Sequence, residues 1–481
     1  MNLFKHALLC PAILGLFSLT SSCGSLGPQY ETPLVSLPNS WVNAEANQNY
    51  PNKLVNITHL KWWKLFEDPT LISLIEEAFQ SNPDMGIAQN RIIQAEEKLV
   101  SAGADKNPTL DANLRTSKAT SSSASSLGRT SSIVSTQFQT SWEIDIFGKF
   151  KRNIEASEAN LKLTIAARNG VKIKLIASIA EAYIAFRSTQ EKISLAQETV
   201  NYLSELVELA NHEVTVGLET EEALQLAKIQ LIKLETTLKE ENRKLKEISL
   251  SIDFLLGAQP GNVFITLSQS KNLLQAPSTI ALSIPADTIL QRPDVQEALH
   301  QLQLEAANVG VAEAQRYPSL SLSGSIGLEA LALNSLGNSG ANFSSIQAGL
   351  LTPIFNSGAL DANVNAQVAS REAALESYKK TVANGLNETE QALLNLASIR
   401  NQLQHLKIAL DASTDHLELI NKRYQTGLIS FREVLQSRND LNSLRQQQST
   451  LTFSEFQSIT QLYKVMGGGW AHNSEDKDTK I

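Results

Sequence analysis

The sequence predicts a mainly α-helical protein with a small β part, built from one unit that occurs twice. Two stretches carry this prediction, residues 217–257 and 427–467, which begin and end with glycine and lie 210 positions apart, since 217 + 210 = 427. In both stretches apolar residues recur at alternating steps of three and four, the heptad pattern of long helices that pack side by side. Each half also contains segments with period-two alternation, which predicts strands.

The heptad seam is strong in the first stretch and weaker, but in register, in the second. Its positions in the first stretch are Leu224, Ala227, Leu231, Leu234, Leu238, Leu245, Ile248, Ile252 and Leu255, with Glu241 as the one break. Adding 210 gives Val434, Ser437, Leu441, Leu444, Gln448, Leu451, Glu455, Ser458, Leu462 and Val465. Each helix would be roughly 60 Å long at about 1.5 Å per residue. We therefore expect long antiparallel helical hairpins, too long for an ordinary globule.

The N-terminus predicts export from the cytoplasm. Residues 1–22 have the form of a lipoprotein signal peptide, in which Lys5 precedes a short apolar run and small residues lead to Cys23. Acylation of Cys23 is the expectation, and an ordinary signal peptide with an incidental thiol is the alternative. Gly24 follows the cysteine where an Asp would favour retention at the inner membrane, so we expect delivery to the outer membrane. The acyl group would anchor the chain without spanning the bilayer.

The first half begins with an extended, Pro-rich wrap over residues 23–61 and continues as a repeat over 62–257. A helix over 69–105 is expected to bend or break at Pro83. A β-hairpin is predicted over 109–147, with a Ser- and Thr-rich loop at 116–136. The next helix, 150–212, lacks proline and is rich in alanine, which permits close helix packing.

Gly217 ends the long helix of the first half, and Thr220 is the expected N-cap of the helix that runs back to Gly257. The second half of the chain repeats this order of elements. A linker over 258–286 leads to the second repeat, 287–470, with a hairpin over 319–355. The tail over 471–481 is polar. Four strands of about ten residues match the length of tilted membrane strands, but single-chain membrane barrels start at about eight strands, so four strands require an oligomer.

Several motifs resemble those of the TolC-like outer-membrane factors, in particular the lipoprotein branch that serves resistance-nodulation-division efflux pumps. The resemblance covers essentially the whole mature chain in the right order. It is carried by Arg292-Pro293-Asp294, Ala306-Ala307, Gly310-Val311-Ala312, Tyr317-Pro318-Ser319-Leu320, Trp142-Glu143-Ile144-Asp145-Ile146-Phe147-Gly148-Lys149, Arg423-Tyr424-Gln425-Thr426-Gly427-Leu428 and Leu462-Tyr463-Lys464-Val465-Met466-Gly467-Gly468-Gly469-Trp470.

The resemblance implies a homotrimer in the outer membrane with a long periplasmic extension. Each chain would lend four strands to a shared 12-stranded β-barrel, and the helices would form a periplasmic α-barrel. The implied function is passive conduction of substrates from a periplasmic adaptor and an inner-membrane pump to the exterior. The alternative is a periplasmic coiled-coil lipoprotein without a pore, either an adaptor or a structural protein. Drugs, metals, siderophores and polypeptides remain open as cargo.

The family also implies a gate at the periplasmic tip, where the turns at Gly217 and Gly427 lie. The matching residues at this pore constriction are Tyr424, Glu433, Gln436 and Arg432, with Arg438 as a further polar candidate. Gln436 stands where the family commonly has Asp, and Ile429 stands where some relatives have a linking Arg. A solvated helix end is the plainer interpretation of these residues.

Enzymatic, metal and nucleic-acid functions are not expected. The formal net charge is −8 without a basic run, which argues against a nucleic-acid partner. The seven His residues are scattered, and no Gly-x-Ser-x-Gly or Walker pattern occurs. We therefore expect no catalytic residues, no metal site and no cofactor other than the covalent lipid on Cys23. The expected partners are the outer-membrane lipid, the adaptor and the pump.

Overall fold

The computed structural model describes residues 26–27, 30–43, 52–54, 61–120, 130–218, 220–269, 277, 280–282 and 285–470. The signal peptide over 1–22, Cys23 and the polar tail over 471–481 lie outside the described residues. The domain boundaries drawn from the sequence therefore stay predictions. Residues of the chain group into two compact units, one within 1–34, 91–165 and 297–379, the other within 35–90, 166–296 and 380–481.

The helices and strands follow the predicted order in both repeats. In chain order they are β1 (Asn52–Leu54), α1 (Pro69–Ser81), α2 (Pro83–Ala104), β2 (Thr109–Thr120), β3 (Thr130–Ile144), α3 (Lys149–Thr215), α4 (Glu221–Leu255), α5 (Asn262–Gln269), β4 (Ile280–Leu282), α6 (Pro285–Gln291), α7 (Pro293–Ala314), β5 (Ser319–Ala330), β6 (Asn342–Leu351), α8 (Ala359–Gln425) and α9 (Phe431–Val465). Short 3-10 turns occupy Trp62–Phe66 and Leu333–Ser335. The prediction of a mainly helical chain with a small β part is confirmed.

The first unit contains a four-stranded antiparallel sheet in the order β2-β3-β5-β6. The register places Ala112, Phe138, Ile326 and Ser344 in one row across the sheet, and Asp111, Gln139, Ser325 and Ser345 in the next. Even-numbered positions therefore share one face and odd-numbered positions the other. The even face carries exposed apolar side chains, namely Leu110, Leu114, Phe138, Ile326, Ile346 and Leu350. The odd face is mainly polar.

The strands differ from the prediction at their ends. Residues 116–120 and 130–136 were expected in the loop, but they are paired, with Thr116 opposite Val134 and Thr120 opposite Thr130. Threonine has a high strand propensity, and backbone pairing extends wherever both strands can continue. The return strand of the second hairpin ends at Leu351 rather than at Ile354, because Pro353 has no amide hydrogen to donate to a ladder.

The second unit has a core of aromatic and polar side chains around the start of α1. Trp62 is 1% exposed and stacks on Tyr463 at 5.7 Å between ring centroids. Asp68 is the N-cap of α1, and its other carboxylate oxygen accepts a 2.6 Å hydrogen bond from the hydroxyl of Tyr183. Arg187 donates to the same hydroxyl at 2.9 Å. Burial, and to a smaller extent the hydrogen bond to Asp68, raise the pKa of the Tyr183 hydroxyl. The hydroxyl therefore stays protonated, and this network stays intact, at neutral pH.

The heptad seams are confirmed as packing surfaces. Every seam position of α4 is buried or half-buried, and in α9 only Gln448 is exposed. Glu455, a charged position of the second seam, is buried with Arg400 of α8, and Arg400 Nε lies 2.7 Å from a carboxylate oxygen of Glu455. A buried carboxylate requires such a partner, because desolvation of an unpaired charge is costly.

The segments predicted to be irregular contain more structure than expected. Within the wrap, β1 pairs in parallel with β4 of the linker, with Asn52 opposite Ile280 and Leu54 opposite Leu282. The linker also contains α5, whose start is held by Asp253 of α4. The Asp253 carboxylate accepts from the amides of Gly261 (2.7 Å) and Val263 (3.0 Å). Asp253 lies 8 and 10 positions before the residues whose amides it accepts from, and no periodic pattern in the sequence indicates this contact.

The two repeats use the same bond with different side chains. In the first repeat the helix break at Asn82 lets its side-chain amide donate to the carbonyl of Leu255, at the end of α4, at 2.8 Å. In the second repeat Arg292 holds the equivalent position and donates to the carbonyl of Val465, since 82 + 210 = 292 and 255 + 210 = 465. Arg292 is buried and also pairs with Asp294 (2.7 Å) and with Glu388 of α8 (2.8 Å).

Loss of Arg292 should therefore cost more stability than loss of its counterpart. Arg292→Ala leaves a helix-end carbonyl unpaired and removes two ion pairs, so we expect a loss of about 2–4 kcal/mol, against about 1 kcal/mol for Asn82→Ala. The measurement is the thermal unfolding midpoint of the purified protein. The matched control is Arg371→Ala, because Arg371 is only partly buried and its ion pair within the described chain is with the adjacent, exposed Glu372. Equal midpoints for the Arg292 and Asn82 variants would contradict this prediction.

Candidate functional site

The two turns that join the long helices have the same backbone geometry. Gly217 and Gly427 have φ values of +77° and +71°, in the left-handed region that favours glycine. Leu218 donates its amide to the carbonyl of Glu213 at 2.8 Å, and Leu428 donates to Arg423 at 3.0 Å. These bonds form Schellman motifs, which satisfy the free carbonyls at the ends of α3 and α8. The sequence prediction of two equivalent turns is confirmed as geometry.

Both helices that follow the turns are capped, α4 at Thr220 as the sequence predicts and α9 at Ser430, which was not predicted as a cap. The hydroxyl of Thr220 accepts from the amide of Ala223 at 3.3 Å and so caps α4. Ser430 caps α9 in a capping box, in which the Glu433 carboxylate accepts from the backbone amide of Ser430 at 3.5 Å. Glu433 therefore points back onto its own helix end, and its bond is local.

An apolar cluster joins the two hairpins next to the turns. Phe431 of α9 is 0% exposed and packs with Leu435 among buried residues of α3 and α4. The cluster consists of Leu203, Leu206, Ala210, Ala223, Leu224, Ala227, Phe431 and Leu435. Tyr424 of α8 lies at its margin, with its ring centroid 6.0 Å from that of Phe431. The two hairpins of one chain are thus held together by apolar contact.

Polar contacts between the hairpins surround this cluster. The hydroxyl of Tyr424 donates to the Glu213 carboxylate of α3, at 2.9 and 3.0 Å from its two oxygens. Arg432 of α9 forms an ion pair with Glu222 of α4. Because exposed ion pairs contribute little individually, the hydrogen bond of the half-buried Tyr424 is the stronger of the two contacts.

Arg438 makes a third contact between the hairpins. Its guanidinium lies 3.9 Å from the ring centroid of Tyr202 on α3, a cation–π geometry. Burial raises the pKa of the Tyr202 hydroxyl, and the charge of Arg438 opposes this rise. Gln436, by contrast, bonds Asp440 of the same helix at 2.9 Å and faces solvent. Of the candidate gate residues, Tyr424, Arg432 and Arg438 contact the other hairpin, and Glu433 and Gln436 make bonds within α9.

Three partner residues of this site were missed by the sequence analysis, Glu213, Glu222 and Tyr202. The repeat offset contains a signal for the second of them, because 222 + 210 = 432 makes Glu222 the equivalent of Arg432. Equivalent positions that carry opposite charges can pair when the two hairpins lie side by side. Glu213 has no such signal, because its equivalent is Arg423 while its partner is Tyr424.

Among the residues that the structure describes, no three His, Cys, Asp or Glu side chains lie close enough to hold a metal ion. Within the same residues, none of the helices combines the length and the apolar character required to cross a membrane.

Comparison with known proteins agrees with this architecture. The sequence profile of the family described as "Outer membrane efflux protein" matches residues 74–258 and 284–468, which are the two repeats. The chain is 27% identical over 466 residues to the solvent efflux pump outer membrane protein SrpC of Pseudomonas putida, covering 95% of this chain and 98% of that one. It is 26% identical over 477 residues to the probable outer membrane lipoprotein SilC of Salmonella typhimurium, covering 97% and 100%.

The fold is shared with solved outer-membrane channels. The outer-membrane channel OprN superposes with a TM-score of 0.85 at 25% identity, covering 92% of this chain and 99% of that one. These similarities extend over both repeats and favour the channel over the pore-less alternative. The chain belongs to the outer membrane efflux protein family.

Proposed function

We propose that this outer membrane efflux protein is a passive duct that works as a homotrimer with a periplasmic adaptor and an energised inner-membrane pump. The observation that carries the proposal is the four-stranded sheet with one apolar and one polar face. Its outer strands, β2 and β6, each have one edge without a strand partner in the described chain. Open edges are not tolerated in lipid. Three copies of this chain supply twelve strands, which can close into a barrel without an unpaired edge.

The duct itself performs no catalysis and uses no cofactor. Efflux energy comes from the pump, and the chain contributes walls, a gate and a docking surface. The covalent lipid on Cys23 is part of the proposal and agrees with the name of the relative SilC, a probable outer membrane lipoprotein. The cargo is determined by the adaptor and the pump, so a change of cargo does not require a change in this chain.

A gel and a bilayer recording test the proposal together. Unheated protein in mild detergent should migrate at about three times the mass of the chain and shift to the monomer on boiling. The same preparation should give discrete conductance steps in a planar lipid bilayer. A protein that is folded, monomeric and unable to conduct ions would contradict the proposal and favour the periplasmic coiled-coil alternative.

We infer that the contacts at the turns hold the periplasmic end of the duct closed. The double variant Tyr424→Phe with Arg432→Ala removes the bonds to Glu213 and Glu222. A loss of about 1 kcal/mol in each of three copies shifts the closed–open equilibrium roughly 100-fold. Single-channel conductance or open probability should therefore rise. The control is Gln436→Ala, because Gln436 bonds only within α9, and a rise of equal size there would contradict the assignment.

Glu433 requires its own variants, because it caps α9 and was also expected in the constriction. Glu433→Gln keeps a side chain that can serve in a capping box but removes the charge. Glu433→Ala removes both. If the charge of Glu433 lines the pore, Glu433→Gln alone should lower the preference for cations. If only the cap matters, Glu433→Gln should leave conductance and selectivity unchanged while Glu433→Ala alters gating.

The exposed leucines of the turns are the proposed docking points of the adaptor. Leu218 and Leu428 are 79% and 74% exposed, although the residue at this place in a Schellman motif usually packs back onto its helix. Burial of a leucine contributes about 1.5–3 kcal/mol, so Leu218→Ser with Leu428→Ser should weaken adaptor binding at least tenfold. The measurement is the affinity for the adaptor whose gene lies beside that of this chain.

A leucine far from the turns in sequence provides the control for this prediction. Leu331, in the loop between β5 and β6, is equally exposed, and Leu331→Ser should leave adaptor affinity unchanged. Conductance should be unchanged in both the double variant and the control. Unaltered affinity of the Leu218 and Leu428 double variant would exclude the turns as the docking surface.

A further inference from the structure

Charged side chains of the odd face lie at the same depth of the sheet as apolar side chains of the even face. On β2, Asp111 and Arg115 alternate with the exposed Leu110 and Leu114. On β5, Glu329 lies next to the end of the strand. The side chains of all three charged residues are exposed. Because successive side chains of a strand point to opposite faces, charge and apolar surface share one depth on opposite faces of the sheet.

The environment of the odd face follows from that of the even face. In a membrane barrel the apolar positions face lipid and the alternate positions face the lumen. A charged side chain at hydrocarbon depth is tolerated where it faces water. In the proposed twelve-stranded barrel, Asp111, Arg115 and Glu329 therefore line the lumen.

The register places Arg115 and Glu329 in one row across the sheet. Ser135 of β3 lies opposite Arg115 on one side and opposite Glu329 on the other. Neighbouring strands lie about 4.8 Å apart, so the Cα atoms of the two charged residues are about 10 Å apart. Asp111 lies four residues from Arg115 along β2, a distance of about 14 Å at about 3.4 Å per residue.

Three copies convert these positions into rings around the lumen, because threefold symmetry places the copies of one residue at one height. The strands of membrane barrels are tilted by about 35–45°, so a row across the sheet is inclined too. The rings of Arg115 and Glu329 are then roughly 6 Å apart along the barrel axis. The ring of Asp111 lies roughly 10 Å from that of Arg115.

The net charge of these rings is negative. Glu143 is the other charged residue at the odd positions of the strands, and it forms an ion pair with Lys149 at 3.0 Å. Among the described residues, no ion pair involves Asp111, Arg115 or Glu329. Two carboxylates and one guanidinium give a charge of −1 for each chain and −3 for three copies, and the remaining odd positions are uncharged.

We propose that Asp111, Arg115 and Glu329 form a charge filter in the barrel that favours cationic over anionic solutes on their way out. The inference rests on the proposed duct and deepens it by assigning a class of solute to the barrel. Rings of charged side chains select ions by sign in channels. The filter changes how fast a solute of a given charge passes, and the pump still determines which solute enters.

Ser135→Cys introduces a thiol between the two charges of the row and reports the electrostatic potential of the lumen. The rates of its reaction with a cationic and an anionic methanethiosulfonate are measured on the full-length protein in lipid vesicles at low salt. Arg115→Gln should speed the cationic reagent and slow the anionic one about threefold each, because unit charges about 6 Å apart in water interact by about that factor. Glu329→Gln should produce the opposite change. Unchanged rates in both variants would overturn the filter.

Lys118→Gln is the matched control, because it removes the same charge as Arg115→Gln from the same strand but on the even face. Its effect on both rates should be clearly smaller, and an equal effect would overturn the assignment. In about 1 M salt the differences between variants should disappear, since charges are then screened over about 3 Å. Thr136→Cys, on the even face, should resist both charged reagents in lipid. Reaction of Thr136→Cys in place of Ser135→Cys would place the odd face in lipid and overturn the proposal.

The reversal potential in a KCl gradient connects the filter to conduction. Arg115→Gln should strengthen the preference for K⁺, and Asp111→Asn with Glu329→Gln should turn it toward Cl⁻, because only the guanidinium groups remain. The Tyr424→Phe, Arg432→Ala background is used so that the turns limit the current less. Equal reversal potentials in all variants of a conducting trimer would overturn the filter alone. A trimer that does not conduct would contradict the duct, and the thiol reaction rates would still test the charge of the lumen.

Discussion

The unpaired backbone at the outer edges of the β2-β3-β5-β6 sheet is the constraint on which the rest of the molecule depends. The described part of the chain supplies four strands and no partner for the far edge of β2 or of β6. In hydrocarbon each unpaired amide or carbonyl costs several kcal/mol. Lateral pairing between copies removes that cost along ten or more residues at each edge. In the proposed trimer this gain in backbone pairing makes assembly and membrane insertion one event.

Duplication explains how a chain obtains two similar hairpins, and divergence explains how they fit each other. At the helix breaks before Pro83 and Pro293, the preceding residue donates to the equivalent helix-end carbonyl. Asn82 does so with a neutral amide and Arg292 with a guanidinium. At the turns, Glu222 and Arg432 occupy equivalent positions and pair with each other. Geometry was kept while charge changed, and opposite charges at equivalent positions let two related hairpins recognise each other.

The molecule uses buried polar contacts where it must stay fixed and exposed ones where the proposed gate must move. Asp68, Tyr183 and Arg187 form a buried network, and breaking it would leave charges unpaired in a low dielectric. At the turns, Arg432 and Glu222 are exposed, and Tyr424 is half-buried. Their bonds exchange readily with water, so each contributes little. A gate held by such contacts can open when an adaptor supplies a modest amount of binding energy.

The irregular N-terminal residues that the structure describes up to Asn43 are also held by polar contacts, here between charged side chains and backbone groups. Arg152 Nε donates to the carbonyl of Leu26 at 3.0 Å, and the amides of Val42 and Asn43 donate to Glu390 of α8 at 2.7 and 3.0 Å. One carboxylate and one guanidinium thus hold backbone groups of an irregular segment that has no ladder of its own. Charge-assisted bonds to backbone are stronger than neutral ones, which is why two side chains suffice.

The sequence alone determined the fold class, the duplication, the turns and the family resemblance, because heptad seams, period-two strands and glycines at fixed offsets are local or periodic signals. It also predicted the cap at Thr220 and the break at Pro83. The tertiary structure alone decided which side chains meet. Glu213 faces Tyr424, Asp253 holds the start of α5, β1 pairs with β4, and Arg152 grips Leu26. These contacts join residues far apart in the chain or outside any repeat, so no periodicity records them, and only packing brings their atoms within bonding distance.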